Sequence, residues 1–289
     1  FKELGASKDK KKPNFEKPLW EPNLGFNSIL VWAEQGIGDQ ILHGTMLNDF
    51  SKKFKKTYLA IDPRLLDIFQ KSFPNIECFS LFDEINQEFF DYQIPLTSIG
   101  AHCRNSVDDF LPLKTPFLNF KNDKEFTNNK KFKCAISWKS VNGTHSKLKT
   151  TSLFELRKIL KIDQIDFYNI QYTDEKSEIE EAKIKYDIKL IDPPGLDVRA
   201  DLTGLINFIN SCDFVINISN TNAHLSGAIG KKTFLLLPTA AGRFWYWENF
   251  YNGKNIWYPS VEIFSQKDPF DWSYPVNRLY DRIKSEYGI

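Results

Sequence analysis

What the sequence lacks narrows it first. Its four cysteines, Cys78, Cys103, Cys134 and Cys212, lie far apart and form no CxxC pair, so neither a zinc site nor a disulfide framework is indicated, and they read as buried free thiols. No apolar run approaches the roughly 20 residues that a membrane span requires, and the lysine-rich opening FKELGASKDKKKPNFEKPLWEPN has no signal-peptide core. Both absences point to a cytoplasmic protein. Strong charge of one sign is missing too: the formal net charge is +1, which excludes the broad basic field of a nucleic-acid binder. Any anion site must then be local. The chain opens on Phe1 rather than Met, from which further sequence upstream is expected.

Two familiar nucleotide motifs are absent as well. After the apolar run SILVW, the stretch WAEQGIGDQILHGTML (Trp32 to Leu47) carries Gly36 and Gly38, but Ile41 stands where the third glycine of a G-x-G-x-x-G fingerprint belongs. GAIGKKT fails as a P-loop, with Leu225 where the first glycine would fall and Lys232 in place of the serine or threonine after the lysine.

What is present is alternation. Residues are 42% hydrophobic over a length of 289, enough for two cores of moderate size. From Ser28 onward, SILVWA, ILHGTMLNDFSKKF, KTYLAI, LLDIFQKSF and IECFS read as strand and helix in turn, with Ile41, Leu42, Thr45, Met46 and Phe50 on one helix face. The pattern weakens after DYQIPLTSI, and KNDKEFTNNKK has the polar character of a domain junction. A second alternation then runs through KCAISW, SLFELRKIL, IDFYNIQY, EKSEIEEAKIKY, IKLID, LTGLINFIN, DFVINIS, TNAHLSGAIG and TFLLLP, and PVNRLYDRIKSEYG closes the chain as a helix with a proline start and a glycine end. This βαβ rhythm predicts an α/β protein with mostly parallel sheets. The expected organisation is a surface linker over 1–27 anchored by Trp20, an N-terminal domain over 28–127, a C-terminal domain over 128–268 and the closing helix over 269–289. A ligand site is expected in the cleft between the two domains, at the carboxyl ends of the strands.

Gly36-Ile37-Gly38-Asp39 reads as a tight glycine turn presenting an acid at a helix N-terminus. Asp39 can serve simply as a helix cap, a role worth about 1 kcal/mol, or face a ligand. In the second half, Ser219, Asn220, Thr221 and Asn222 fall at a strand-to-helix turn where backbone N–H groups and the helix dipole suit a diphosphate. His224 in the same helix can donate to a phosphate or pack inside. The loop KSVNGTHSKLKTTS adds the cations Lys139, Lys147 and Lys149. Arg243, in the aromatic cluster GRFWYWENFYNGKNIWYPS, can reach the site, with most of the aromatics structural and one tryptophan a candidate for stacking.

LVWAEQGIGDQILHGTML, CAISWKS, NISNTNAHLSGAIGKKTFLLLP, GRFWYW and WYPSVEIFSQ together resemble the glycosyltransferase-like domain that follows tetratricopeptide repeats in many bacterial proteins, which is similar to the heptosyltransferases of glycosyltransferase family nine. The resemblance runs from about Trp20 to the end. It implies a GT-B architecture of two facing Rossmann-like domains with the acceptor on the first and a nucleotide-diphosphate sugar on the second, no metal and no cofactor beyond that donor substrate, and a glycan, lipid-linked sugar or protein as acceptor. Repeats upstream would be the partner segment. It further implies an inverting transferase with Asp39 as general base, Gln171 at the nucleoside, the Ser219 to Asn222 turn with His224 on the diphosphate, and Lys149 where many relatives carry arginine. The chain departs from the pattern SVDTAVAHLAGALG: an aspartate is missing from this turn, which holds Asn220 and, two positions on, Asn222. That departure favours an alternative, a catalytically silent nucleotide-sugar-binding or interaction module attached to the repeats. A sugar-nucleotide epimerase can share the architecture.

Overall fold

The computed structural model describes residues 15–111, 116–119, 131–140, 146–239 and 242–289. They fall into two compact units, within Phe1–Phe120 and within Lys121–Ile289.

The first unit is built on a parallel sheet. Strand β1 (Ser28–Trp32) leads into helix α1 (Ile37–Gly44) and the short α2 (Leu47–Ser51), followed by β2 (Lys56–Ile61), α3 (Leu66–Ser72), β3 (Ile76–Ser80), β4 (Tyr92–Pro95) and the single turn α4 (Gly100–Cys103). Strand order is β3-β2-β1-β4, with every pairing parallel. Ile29 to Trp32 are all buried because helices and loops cover β1 on both faces. The helix expected to run unbroken through Phe50 is instead two. Gly44 ends α1, where a Cβ would meet the Phe69 ring at 3.1 Å, and the Thr45 hydroxyl donates back to the Leu42 carbonyl at 2.7 Å, a local bond that competes with helix continuation. Ahead of β1, Trp20 is buried and donates through Nε1 to the Gly25 carbonyl at 2.9 Å.

The second unit begins with β5 (Phe132–Ser137), then α5 (Ser146–Lys149), α6 (Leu153–Leu160), β6 (Ile165–Asn169), α7 (Lys176–Tyr186), α8 (Leu202–Ser211), β7 (Phe214–Ile218), α9 (Thr221–Ala228), β8 (Thr233–Leu237), a small hairpin of β9 (Phe250–Tyr251) and β10 (Lys254–Asn255), β11 (Val261–Ser265) and α10 (Ser273–Tyr287). The large sheet is parallel in the order β11-β8-β7-β5-β6. Strands β7 and β8 are buried at every position, as their unbroken apolar runs require. A reciprocal capping box starts α6: Ser152 Oγ accepts from Glu155 N and the Glu155 carboxylate accepts from Ser152 N. The segment IKLID, expected as a strand, makes only one bridge, Ile191 beside Tyr168 at the outer edge of β6.

In each sheet the chain runs outward from its first strand and then returns to that strand's other side. The switch points are β1/β4 and β5/β7, where the carboxyl ends of neighbouring strands diverge and an open α/β sheet binds its ligands.

Candidate functional site

In the first unit, four residues, Ala33 to Gly36, carry the chain from β1 into α1. Gly36 is the N-cap residue at φ −66° and Asp39 stands in the first helical turn, partly buried, where the helix dipole favours a carboxylate. The glycine turn is therefore less special than expected: neither Gly36 nor Gly38 is left-handed. Two other side chains shape the loop. Gln40, 2% exposed, donates to the Gln35 carbonyl at 3.0 Å and accepts from Asp62 N, beyond β2, at 2.9 Å. Glu34 reaches the other way, across β1/β4: its Oε1 accepts from Thr97 N at 3.2 Å and from the Thr97 hydroxyl. Glu34 Oε2 is buried with no hydrogen-bond partner, and burial pushes this carboxyl above its ordinary value against the lowering effect of the Thr97 bonds. One turn beyond Asp39, His43 has a buried Nδ1 with no partner, and burial pushes its ring down to about 4.

In the second unit, three loops meet at the carboxyl ends of β5, β6 and β7. Gln171 Oε1, 4% exposed as a residue, accepts from the Ser137 hydroxyl (3.0 Å), Trp138 N (3.0 Å) and Lys139 N (2.9 Å), while its Nε2 donates to the Lys139 carbonyl and the Thr173 hydroxyl. Asn220 Nδ2 donates to the Ser137 hydroxyl at 2.8 Å, closing the network across β5/β7. Asn222 Nδ2 donates to the Ile170 carbonyl at 2.7 Å. Gln171, expected at a nucleoside, is thus engaged in holding the β5 and β6 loops together.

The turn before α9 also departs from expectation. Asn220 is the N-cap, and its Oδ1 accepts from Asn222 N (3.0 Å) and Ala223 N (3.4 Å). Two of the amides offered to a diphosphate are therefore already taken, since asparagine satisfies helix-start donors with its own side chain. Ser219 Oγ accepts from Trp247 Nε1 at 2.9 Å. His224, 3% exposed, has Nδ1 3.1 Å from the Tyr258 hydroxyl, and its ring sits 5.1 Å from Trp247 and 5.3 Å from Tyr246. It is a core histidine within an aromatic cluster. Thr221, the first residue of α9, keeps partial exposure.

The cations divide. Lys139 pairs with Glu175 and Glu178, each at 2.5 Å; burial works against its charge, the two carboxylates outweigh it, and the ammonium lies above its ordinary value. Lys149, 6% exposed, lies over the Phe244 ring at 4.8 Å. Arg243 pairs with Glu248 and keeps about a quarter of its side chain exposed. Lys147 is exposed on α5. Gly36, Gly38 and Asp39 belong to the first unit and the remaining predicted residues to the second.

Sequence reasoning missed Glu34, Gln40, Ser137, Thr97 and Tyr258. Glu34, just past the end of β1, and Gln40, in α1, bracket the glycine loop and were open to inspection as polar residues there; Ser137, Thr97 and Tyr258 had no local signal. An open hollow of about 550 Å³ in the first unit, bordered by Trp20, Phe26, Lys53 and His102, includes none of the predicted site residues. Among the described residues no group of three His, Cys, Asp or Glu side chains is placed to hold a metal, and no helix is long and apolar enough to cross a membrane.

No family model matches this chain. It is 26% identical over 295 residues to Protein FlbA of Caulobacter vibrioides, covering 92% of this chain and 48% of FlbA, so the chain spans about half the length of that relative. Among solved structures it is similar to the ADP-heptose lipopolysaccharide heptosyltransferase II of E. coli, with a TM-score of 0.56 at 10% identity over 89% of this chain and 98% of that one. A glycosyl transferase of family 9 from Veillonella parvula gives a TM-score of 0.55 at 12% identity, over 92% of this chain and 90% of that one. At such identities the likeness concerns fold. The chain has an α/β fold of the GT-B type, with two Rossmann-like domains.

Proposed function

We propose that this protein is an inverting glycosyltransferase that moves a sugar from a nucleotide-diphosphate donor to an acceptor hydroxyl, with Asp39 as general base. The first unit would take the acceptor and the second the donor. The observation that carries the reading is the placement of Asp39: a carboxylate in the first turn of α1, at the carboxyl end of β1 beside a switch point, on a loop pinned from both sides. Its chemistry follows directly. Asp39 takes the proton of the acceptor hydroxyl, the oxygen attacks the anomeric carbon, and the bond from that carbon to the diphosphate oxygen breaks with inversion. Negative charge then grows on the departing nucleoside diphosphate. Lys147, Lys149, Arg243 and the N-terminal turn of α9 at Thr221 are the groups of the second unit suited to offset it without a metal. Ser219, Asn220, Asn222, Gln171 and Lys139 act in this reading as the frame that shapes the donor loops, and His224 supports α9 from inside.

A second reading is a nucleotide-sugar-binding or interaction module without turnover, of the kind expected beside tetratricopeptide repeats. The engagement of Asn220 Oδ1 with the α9 amides favours it. Thermal-shift measurements with UDP-, GDP-, ADP-, CMP- and dTDP-sugars separate the two. Donor at 100 times its dissociation constant adds about 2.7 kcal/mol of stability, and Asp39→Asn then lowers transfer by about 10²-fold or more while leaving that shift intact. A donor that binds without any transfer sinks the enzyme reading, and a panel with no responder removes nucleotide-sugar binding and leaves the interaction module.

A further inference from the structure

The β1–α1 loop is held by two side chains of opposite reach. Gln40 ties it to the segment after β2, and all of the polar atoms of its amide group that are used there are matched: the oxygen accepts from Asp62 N and the nitrogen donates to the Gln35 carbonyl. Glu34 ties it to the 3-10 turn Leu96–Ile99 after β4, taking both the N–H and the hydroxyl of Thr97 on one oxygen. The other oxygen is closed off from solvent and has no partner. Such a group costs stability rather than adding it, and a glutamine would make the same two accepted bonds without burying an acid. What Glu34 supplies is therefore an acceptor aimed at Thr97 rather than a charge. Its place gives that acceptor a use, since Glu34 stands in the loop that leads into the first turn of α1 and fixes it to the turn after β4, the strand on the far side of the switch point.

We infer that Glu34 is a positioning residue for Asp39: by clasping Thr97 across β1 and β4 it sets the direction in which the first turn of α1 presents the Asp39 carboxylate. This rests on the reading of Asp39 as the base. Burial raises the Glu34 carboxyl, against the lowering effect of the bonds it accepts from Thr97.

The test uses the full chain with Glu34→Ala, Glu34→Gln and Thr97→Val, measuring steady-state transfer and hydrogen exchange at the amides of residues 35–40. Misplacing a base by about 1 Å is worth on the order of 10²-fold in rate, so Glu34→Ala is expected to lower kcat about 30- to 100-fold with the donor KM changed less than about threefold. Glu34→Gln, whose amide oxygen still accepts from Thr97, is expected to restore kcat to within about fivefold of the parent, and Thr97→Val to fall between the two. Exchange over residues 35–40 is expected to speed up about tenfold or more in Glu34→Ala and to stay near the parent rate in Glu34→Gln. A folded Glu34→Ala protein with unchanged kcat overturns the inference. If the parent transfers no sugar, the exchange arm decides alone: loosening confined to the loop upholds the clasp while the base reading falls, and unchanged exchange removes the clasp. Should Glu34→Ala fail to fold, Thr97→Val carries both readouts.

Discussion

The two switch points solve the same problem with different chemistry. Across β5/β7 the second unit uses Ser137, Asn220 and Gln171, neutral groups that donate and accept, so the bonds chain from one loop to the next. Across β1/β4 the first unit uses a carboxylate, which when ionised only accepts, and one of its oxygens is left over inside the protein. Neutral amides make a closed frame; a buried acid makes a clasp with a residual electrostatic demand. The second unit should therefore lose most when a bond is cut, and the first should respond most to pH.

The largest expected effect follows from Gln171→Ala, which strips three donors of their acceptor and should destabilise the second unit by about 3–5 kcal/mol in urea unfolding. A cost below about 1 kcal/mol would break the comparison, because the frame would then be decoration. Next comes a paired glycine test. A Cβ at Gly227 would stand 2.6 Å from the Tyr258 ring, inside the packing around His224, whereas at Gly36 the nearest contact is an ordinary 3.7 Å to Asp39 Oδ2. Gly227→Ala should cost about 2–3 kcal/mol and Gly36→Ala less than about 1 kcal/mol, both read from thermal unfolding.

The pH response sharpens the contrast within the first unit. His43 is lowered by burial to about 4 from an ordinary 6.5, so the unfolded chain binds the proton first as pH falls. Its contribution is complete above pH 6.5 and is lost on the way down through pH 4, on the order of 3 kcal/mol. Glu34 has the opposite sign: with its folded value raised above 4.5, the native state holds the extra proton, and stability is lost as pH climbs from 4.5 through that raised value. His102, also lowered by burial, keeps the sign of His43, so in a His43→Asn protein the Glu34 contribution is read as the difference made by Glu34→Gln, which should remove a loss of stability that grows as pH rises over this window. Coincident curves with and without Glu34→Gln would show that Glu34 is not so perturbed. The smallest effect is expected from Asn220→Asp, which keeps the cap and draws the single Ser137 hydroxyl proton away from Gln171 Oε1, an acceptor that still holds two backbone donors, changing stability by about 1 kcal/mol or less in the same unfolding assay.

How far these features could be read beforehand depends on the range over which they act. The alternation of apolar strands and amphipathic helices is local, and it gave the parallel α/β sheets and the strand ends that carry the loops. The place of Asp39 in the first turn of α1 was legible for the same reason, next to a glycine pair after a buried strand. The clasp was not, because Thr97 approaches Glu34 only once β4 has paired beside β1, a consequence of sheet order. The engagement of Asn220 had a visible cue, the preference of asparagine for N-caps, yet the dipole at the same turn argues equally for a ligand, and only side-chain geometry separates them. The break between α1 and α2 falls at Gly44 and Thr45, where the Thr45 hydroxyl donates back to the Leu42 carbonyl and the Phe69 ring leaves no room for a side chain on Gly44, a tertiary constraint that the helical pattern does not show. Strand β11 was missed because VEIFS, only partly buried at the sheet margin, lacks the long apolar signature of its neighbours.

The segment before β1 has one more effect. Leu19 bridges to Gln93, with Pro18 accepting from Gln93 N and Trp20 donating to its carbonyl, so part of the outer hydrogen-bonding row of β4 is already occupied within the chain. An unpaired strand of that kind is an adhesive surface for other chains. The few residues around Trp20 thus act as a guard on solubility, and a protein shortened past them would be expected to self-associate through β4 while its sheet remained intact.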